Sequence, residues 1–110
     1  MYETVTDIDR LLERLLSYQP DADVGMVRKA YEFSAKAHEG QIRRSGEPYV
    51  KHPVAVAGVL TALKTDVTAI VAGLLHDTLE DTVATADELE REFGKDVVHL
   101  VDGVTKIGKI

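Results

Sequence analysis

His76, Asp77, Glu80 and Asp81 close a strongly apolar stretch, and their types and spacing suit work on a metal ion. On a helix each residue advances about 100° around the axis, so His76 lies over Glu80 and Asp77 over Asp81. Thr78 and Leu79 then point elsewhere. One imidazole and three carboxylates share one side of a helix end, where the partial negative charge of the backbone further favours a cation. Packed together without a counter-charge, the acids would repel one another, and a divalent ion removes that conflict. Imidazole and carboxylate ligands without sulfur suit Mn²⁺, Fe²⁺ or Zn²⁺. Such an ion lowers the pKa of water, and a carboxylate one turn further on could orient or deprotonate that water. A lone His-Asp pair at a helix end is more often a cap or a solvated pair. Glu80 and Asp81 at matched spacing shift the balance towards a metal.

Other residues could join this group. His52 precedes Pro53 at the expected start of another helix, where it could project into the same cavity or serve structure alone. Between Gln41 and His52 lie Arg43, Arg44 and Lys51 against a single Glu47, a basic island in an acidic chain. Arg43 and Arg44 read either as a solvated surface pair or as a grip on phosphate, for which the forked guanidinium is suited. Tyr49 could stack on a base, although packing under the loop is the simpler role. His38, at a helix end, could cap carbonyls or meet the dipole, and His99 has apolar neighbours that suit a core or rim position.

The elements that must carry these residues are helices joined by short polar turns. Val5, Ile8, Leu11, Leu12, Leu15 and Leu16 form the apolar stripe of a first helix, broken at Tyr18-Gln19-Pro20-Asp21. A second helix is expected from about Ala22 to His38, with Val24, Val27, Ala30, Tyr31, Ser34 and Ala35 near its inner face and Gly40 closing it. Residues 41–51 form an ordered loop with turn chemistry at Ser45-Gly46-Glu47-Pro48. Pro53 opens a third helix, continued by Val54 to Leu63. Thr65 or Asp66 caps a fourth, Val67 through Leu75, apolar nearly all round and therefore central. Thr85-Ala86-Asp87-Glu88 has the form of a capping box, opening a short helix that ends before Gly94. A last helix starts near Asp96 and includes Val97, Val98, Leu100 and Val101. No segment alternates as a strand does, so the fold class is all-α.

Bulk properties bound the function. At 110 residues the chain fits one domain. A composition of 45% hydrophobic and 29% charged residues is that of a soluble globular protein. The longest purely apolar run, Ala69 to Leu75, is far too short for a bilayer, and the N-terminus has no signal-peptide pattern. The absence of cysteine excludes disulfides and thiolate metal sites and suits the cytoplasm. A net charge of −6 argues against broad nucleic-acid contact while leaving room for a small anionic ligand.

Ala37-His38-Glu39-Gly40-Gln41, Arg43-Arg44-Ser45-Gly46-Glu47-Pro48-Tyr49 and His52-Pro53 closely resemble the hydrolase domain of the Rel/Spo family, the alarmone synthetase/hydrolases of the bacterial stringent response. His76-Asp77 with Glu80-Asp81-Thr82 resembles the family's HD signature, and Phe93-Gly94-Lys95-Asp96 and Asp102-Gly103-Val104-Thr105-Lys106 continue the match. The HD pair alone marks a broad phosphohydrolase superfamily; the loop and the DGVTK segment are far more specific. The resemblance implies an HD-domain helical bundle and Mn²⁺-dependent removal of the 3′-pyrophosphate of (p)ppGpp, guanosine tetra- or pentaphosphate. His52, His76 and Asp77 would be metal ligands, Glu80 and Asp81 would activate water, and Arg43, Arg44 and Ser45 would line the nucleotide pocket. Lys is frequent in the family at the position of Arg44. Thr78-Leu79 stands where two valines are more usual, a change expected to be neutral.

The family's remaining metal ligand is an aspartate downstream of DGVTK. The expectation is therefore that residues 1–110 are the N-terminal part of the hydrolase domain and that this piece alone binds metal weakly and turns over poorly. Apolar surface left uncovered could support a homo-oligomer. Two other readings stand beside this one: an HD phosphohydrolase acting on another nucleotide, and a non-catalytic helical regulatory module.

Overall fold

The computed structural model describes residues 7–39, 51–76, 78 and 85–108, with 51, 52 and 104–108 described as backbone alone. These residues form six helices, and no strand occurs among them. They are α1 (Ile8–Tyr18), α2 (Val24–Ala37), α3 (Lys51–Ala62), α4 (Val67–Leu75), α5 (Ala86–Phe93) and α6 (Lys95–Gly108). The all-α expectation holds. Val5, Gly40 and the expected turn at 45–48 lie outside the described residues.

Local side-chain chemistry sets most helix starts. The Asp7, Asp23 and Asp66 carboxylates accept from the backbone N–H groups of Asp9, Met26 and Ala69 at 2.8, 3.1 and 3.0 Å. Each satisfies a donor that the first turn leaves without an intrahelical partner. Asp23 as the cap explains why α2 starts two residues after Ala22. At α5 the capping box is complete: Glu88 N–H donates to Thr85 Oγ1 at 3.2 Å, and Thr85 N–H donates to Glu88 Oε1 at 3.3 Å. Gly94 ends α5 with φ +95°, a conformation that favours glycine.

Helix α3 starts two residues before Pro53. Donors in the first turn have no acceptor within the helix, so a proline there sacrifices no bond. Its end is a Schellman turn: Thr65 N–H reaches Leu60 C=O at 3.2 Å and Lys64 N–H reaches Thr61 C=O at 3.0 Å. Lys64 takes φ +56° there, and a Cβ makes that conformation unfavourable. Lys64→Gly is expected to stabilise the fold by about 0.5–1 kcal/mol, measured as a higher urea midpoint with unchanged slope.

Helix α4 is the centre of the bundle. Ile70 to Leu75 are six consecutive buried residues, which requires neighbours on every side, and α4 packs on α3, α2 and α6. Leu11, Leu15, Val27, Ala30, Val54, Leu89, Val97 and Val101 complete the core around it. Leu16, placed in the stripe of α1, is 39% exposed. It sits about 90° around the helix from the mean direction of the stripe, at its edge.

Two cross-links hold the outer helices. Lys29 on α2 reaches the end of α5, with Nζ 2.8 Å from Glu92 Oε2, 2.9 Å from Glu92 C=O and 5.3 Å from the Phe93 ring centre. The hydrogen bond from Lys29, and secondly its charge, hold the Glu92 carboxyl below its ordinary pKa. Phe33 meets Phe93 edge to face at 5.6 Å. On the other side, Tyr18 Oη donates to Thr65 C=O at 2.8 Å, tying the end of α1 to the turn before α4.

Burial, and secondly the Asp66 carboxylate, raise the Tyr18 phenol above 10.0. The folded state therefore keeps this proton to higher pH than the unfolded chain. That contribution to stability is complete below about pH 10 and is lost as pH rises through the folded value. Tyr18→Phe is expected to cost about 0.5–1.5 kcal/mol at pH 7 and to reduce the alkaline loss of stability. Urea titrations at pH 7 and above pH 10 would check both.

Candidate functional site

The register of α3 against α4 decides which residues can meet at the end of α4. The two helices run antiparallel through the turn at 63–66 and approach closely at Gly73. A Cβ placed on Gly73 would lie 2.7 Å from Leu60 Cδ1 and 3.7 Å from Ala57 Cα. From that crossing, three residues forward along α4 reach His76, and five back along α3 reach His52. At 1.5 Å per residue these steps are about 4.5 and 7.5 Å along the axes. The backbone of His52 and that of His76 therefore occupy the same end of the helix pair.

His76 is half-buried, and its ring is oriented by its own helix. Nδ1 lies 2.7 Å from the Gly73 carbonyl oxygen. A carbonyl only accepts, so Nδ1 carries the hydrogen. In the neutral ring Nε2 then holds the lone pair, the arrangement a metal-ligating histidine needs. Two residues on, Thr78 is fully buried and its hydroxyl donates to Leu75 C=O at 2.7 Å. Thr78 thus belongs to the core.

Asp77, Glu80, Asp81, Arg43, Arg44 and Ser45 lie outside the described residues, and His52 is placed by its backbone alone. Among the described residues no three His, Asp or Glu side chains come together as a metal site. The observation that bears on metal binding is the presentation of His76, and it fits a divalent ion. Sequence reasoning missed what Gly73 does: it leaves room for the end of the Leu60 side chain, while its carbonyl sets the ring of His76. A glycine inside an apolar helix, three residues before a histidine, was the available signal.

The remaining histidines separate. His38 caps the end of α2 and is only 3% exposed. His99 is exposed and lines a groove between α5 and α6 with Asp87, Glu90, Lys95 and Asp102. Of the two positions expected for His99 the core is ruled out, because its neighbours Val97 and Val101 turn inward on the opposite side of α6.

Comparisons with known proteins give the family of this helical chain. Residues 30–110 match the family model described as HD domain, and the chain belongs to that family. Its relatives there are Rel/Spo proteins. It is 60% identical over 92 residues to a GTP pyrophosphokinase of Myxococcus xanthus, covering 84% of this chain and 12% of that protein. It is 46% identical over 102 residues to the bifunctional (p)ppGpp synthase/hydrolase SpoT of Escherichia coli K12, covering 93% and 14%. The GTP pyrophosphokinase rsh of Brucella melitensis is 43% identical over 100 residues, with 91% and 13% covered. The chain spans about an eighth of the length of these relatives. No helix among the described residues is long and apolar enough to cross a membrane.

Proposed function

We propose that this chain supplies most of a metal-dependent site that hydrolyses the 3′-pyrophosphate of (p)ppGpp, giving GDP or GTP and pyrophosphate. The observation that carries the proposal is the His76 ring at the end of α4, oriented through Nδ1 by Gly73 C=O so that Nε2 is the nitrogen with the lone pair in the neutral ring. Similarity to a named (p)ppGpp hydrolase over 93% of the chain supports the substrate class.

In this reading His52, His76 and Asp77 hold the ion, taken to be Mn²⁺. The ion supplies Lewis acidity, which favours charge on phosphoryl oxygens and lowers the pKa of water. Glu80 and Asp81 accept the proton of the attacking water and orient it towards the 3′-pyrophosphate. Arg43 and Arg44 hold the pyrophosphate through forked, charge-assisted bonds, and Ser45 adds a hydroxyl. Water adds at phosphorus, the bond to the 3′ oxygen breaks, and the nucleoside 3′-hydroxyl recovers a proton.

We further take residues 1–110 as the N-terminal part of the HD hydrolase domain, with one more carboxylate ligand supplied from beyond it. The chain covers about an eighth of each relative, which leaves room for such a ligand. The setting is cytoplasmic and belongs to the stringent response. A nucleotide panel tests the substrate. A chain extended as in the relatives, given Mn²⁺, should release pyrophosphate from ppGpp or pppGpp and leave nucleoside triphosphates and 5′-monophosphates intact. Preferential turnover of another phosphate ester would replace the alarmone with that substrate class.

A further inference from the structure

Among the described residues, His38 is the one ionisable side chain buried in the core. The other buried polar side chains are Ser34, Thr61 and Thr78. Thr61 and Thr78 spend their hydroxyls on carbonyls of their own helices, Gly58 and Leu75. A buried imidazole must find partners for its polar atoms, and the place where it does so needs a reason.

The direction of α2 supplies one. Tyr18, the last residue of α1, bonds Thr65 at the foot of α4. Helix α2 begins six residues after Tyr18. Both α2 and α4 thus start near the end of α1, and they pack on each other. They run in the same direction, and His38 closes α2 at the end where α4 presents His76 and α3 begins at Lys51-His52. The inner stripe of α2, Val27, Ala30 and Ser34, leads to it at helical spacing.

We propose that His38 is a positioning residue for the metal-bearing end of the bundle, acting on metal affinity without touching the substrate. The inference rests on the hydrolase reading above. Residues behind metal ligands fix their orientation, and their loss weakens metal binding about ten- to hundred-fold.

The test compares His38→Leu, His38→Gln and Ser34→Ala in a chain extended as in the relatives, with Mn²⁺ varied and ppGpp saturating. His38→Leu is expected to raise the half-saturating Mn²⁺ concentration about ten- to hundred-fold while kcat at saturating Mn²⁺ stays within about two-fold. His38→Gln, which keeps hydrogen-bonding capacity, should recover part of the loss. Ser34→Ala removes a buried hydroxyl that has no hydrogen-bond partner among the described residues and should leave Mn²⁺ dependence unchanged. A merely structural His38 would lower activity with the folded fraction and leave the Mn²⁺ midpoint in place, which would overturn the proposal. A second readout needs no activity: Mn²⁺ titrated into the 110-residue chain and into the extended chain while ring signals of the histidines are followed by NMR. The signals of His76 should broaden first, His38 next and His99 least. Broadening of His76 with His38 no more affected than His99 overturns the placement of His38 alone. Absence of broadening at every histidine of both chains defeats the metal reading itself, and this inference with it.

Discussion

His76→Ala, made in a chain extended as in the relatives, should lower ppGpp hydrolysis by more than about a hundred-fold, above the range that loss of a supporting partner produces. That corresponds to at least about 2.7 kcal/mol of barrier. The reasoning is local. Nδ1 is bonded to Gly73 C=O, so Nε2 is the nitrogen that would meet an ion, and alanine removes it. The folded state should survive, because His76 is half-buried at a helix end while the six residues before it carry the core. Circular dichroism and the urea midpoint of the variant should therefore stay near the parent values. Raising Mn²⁺ should restore little activity, in contrast to His38→Leu, where a shifted metal midpoint is the expected defect.

Leu75→Ala should have the largest effect on stability. Leu75 is completely buried on the central helix, at the end of α4. Truncating such a leucine costs about 2–5 kcal/mol, the transfer of the lost methyl groups plus the cavity they leave. A domain of this size has about 5–15 kcal/mol in total, so a third or more could vanish with one side chain. Urea unfolding followed by circular dichroism should show a much lower midpoint at similar slope. Activity at low temperature should fall less than in His76→Ala, because the ring of His76 is set by a backbone carbonyl three residues earlier. The pair of variants thus separates loss of fold from loss of chemistry.

Much of the fold was legible because its determinants are local. Asp66 before an apolar run, Thr85 three residues before Glu88, and Gly94 after Phe93 each state a helix boundary through a bond made within one turn. The start of α3 was less legible, since a proline tolerated anywhere in the first turn marks that turn without fixing its first residue. Leu16 and His99 show the limits of periodicity at a stripe's edge, where a small rotation decides between core and water. Lys29 with Glu92 and Phe93, and Tyr18 with Thr65, join residues distant in sequence, and no local pattern encodes them. At the candidate site, spacing singled out His76 with Asp77, Glu80 and Asp81. The close approach at Gly73, which puts His52 and His76 at one end, depends on how two helices cross and could only come from the structure.

The most direct test is pyrophosphate release from ppGpp with Mn²⁺, measured on the 110-residue chain and on a chain extended as in the relatives. The extended chain should be active, the shorter one weak or inactive, and His76→Ala in the extended chain inactive. A folded, extended chain that releases no pyrophosphate with Mn²⁺ or other divalent ions would contradict the hydrolase assignment and leave a helical regulatory module in its place.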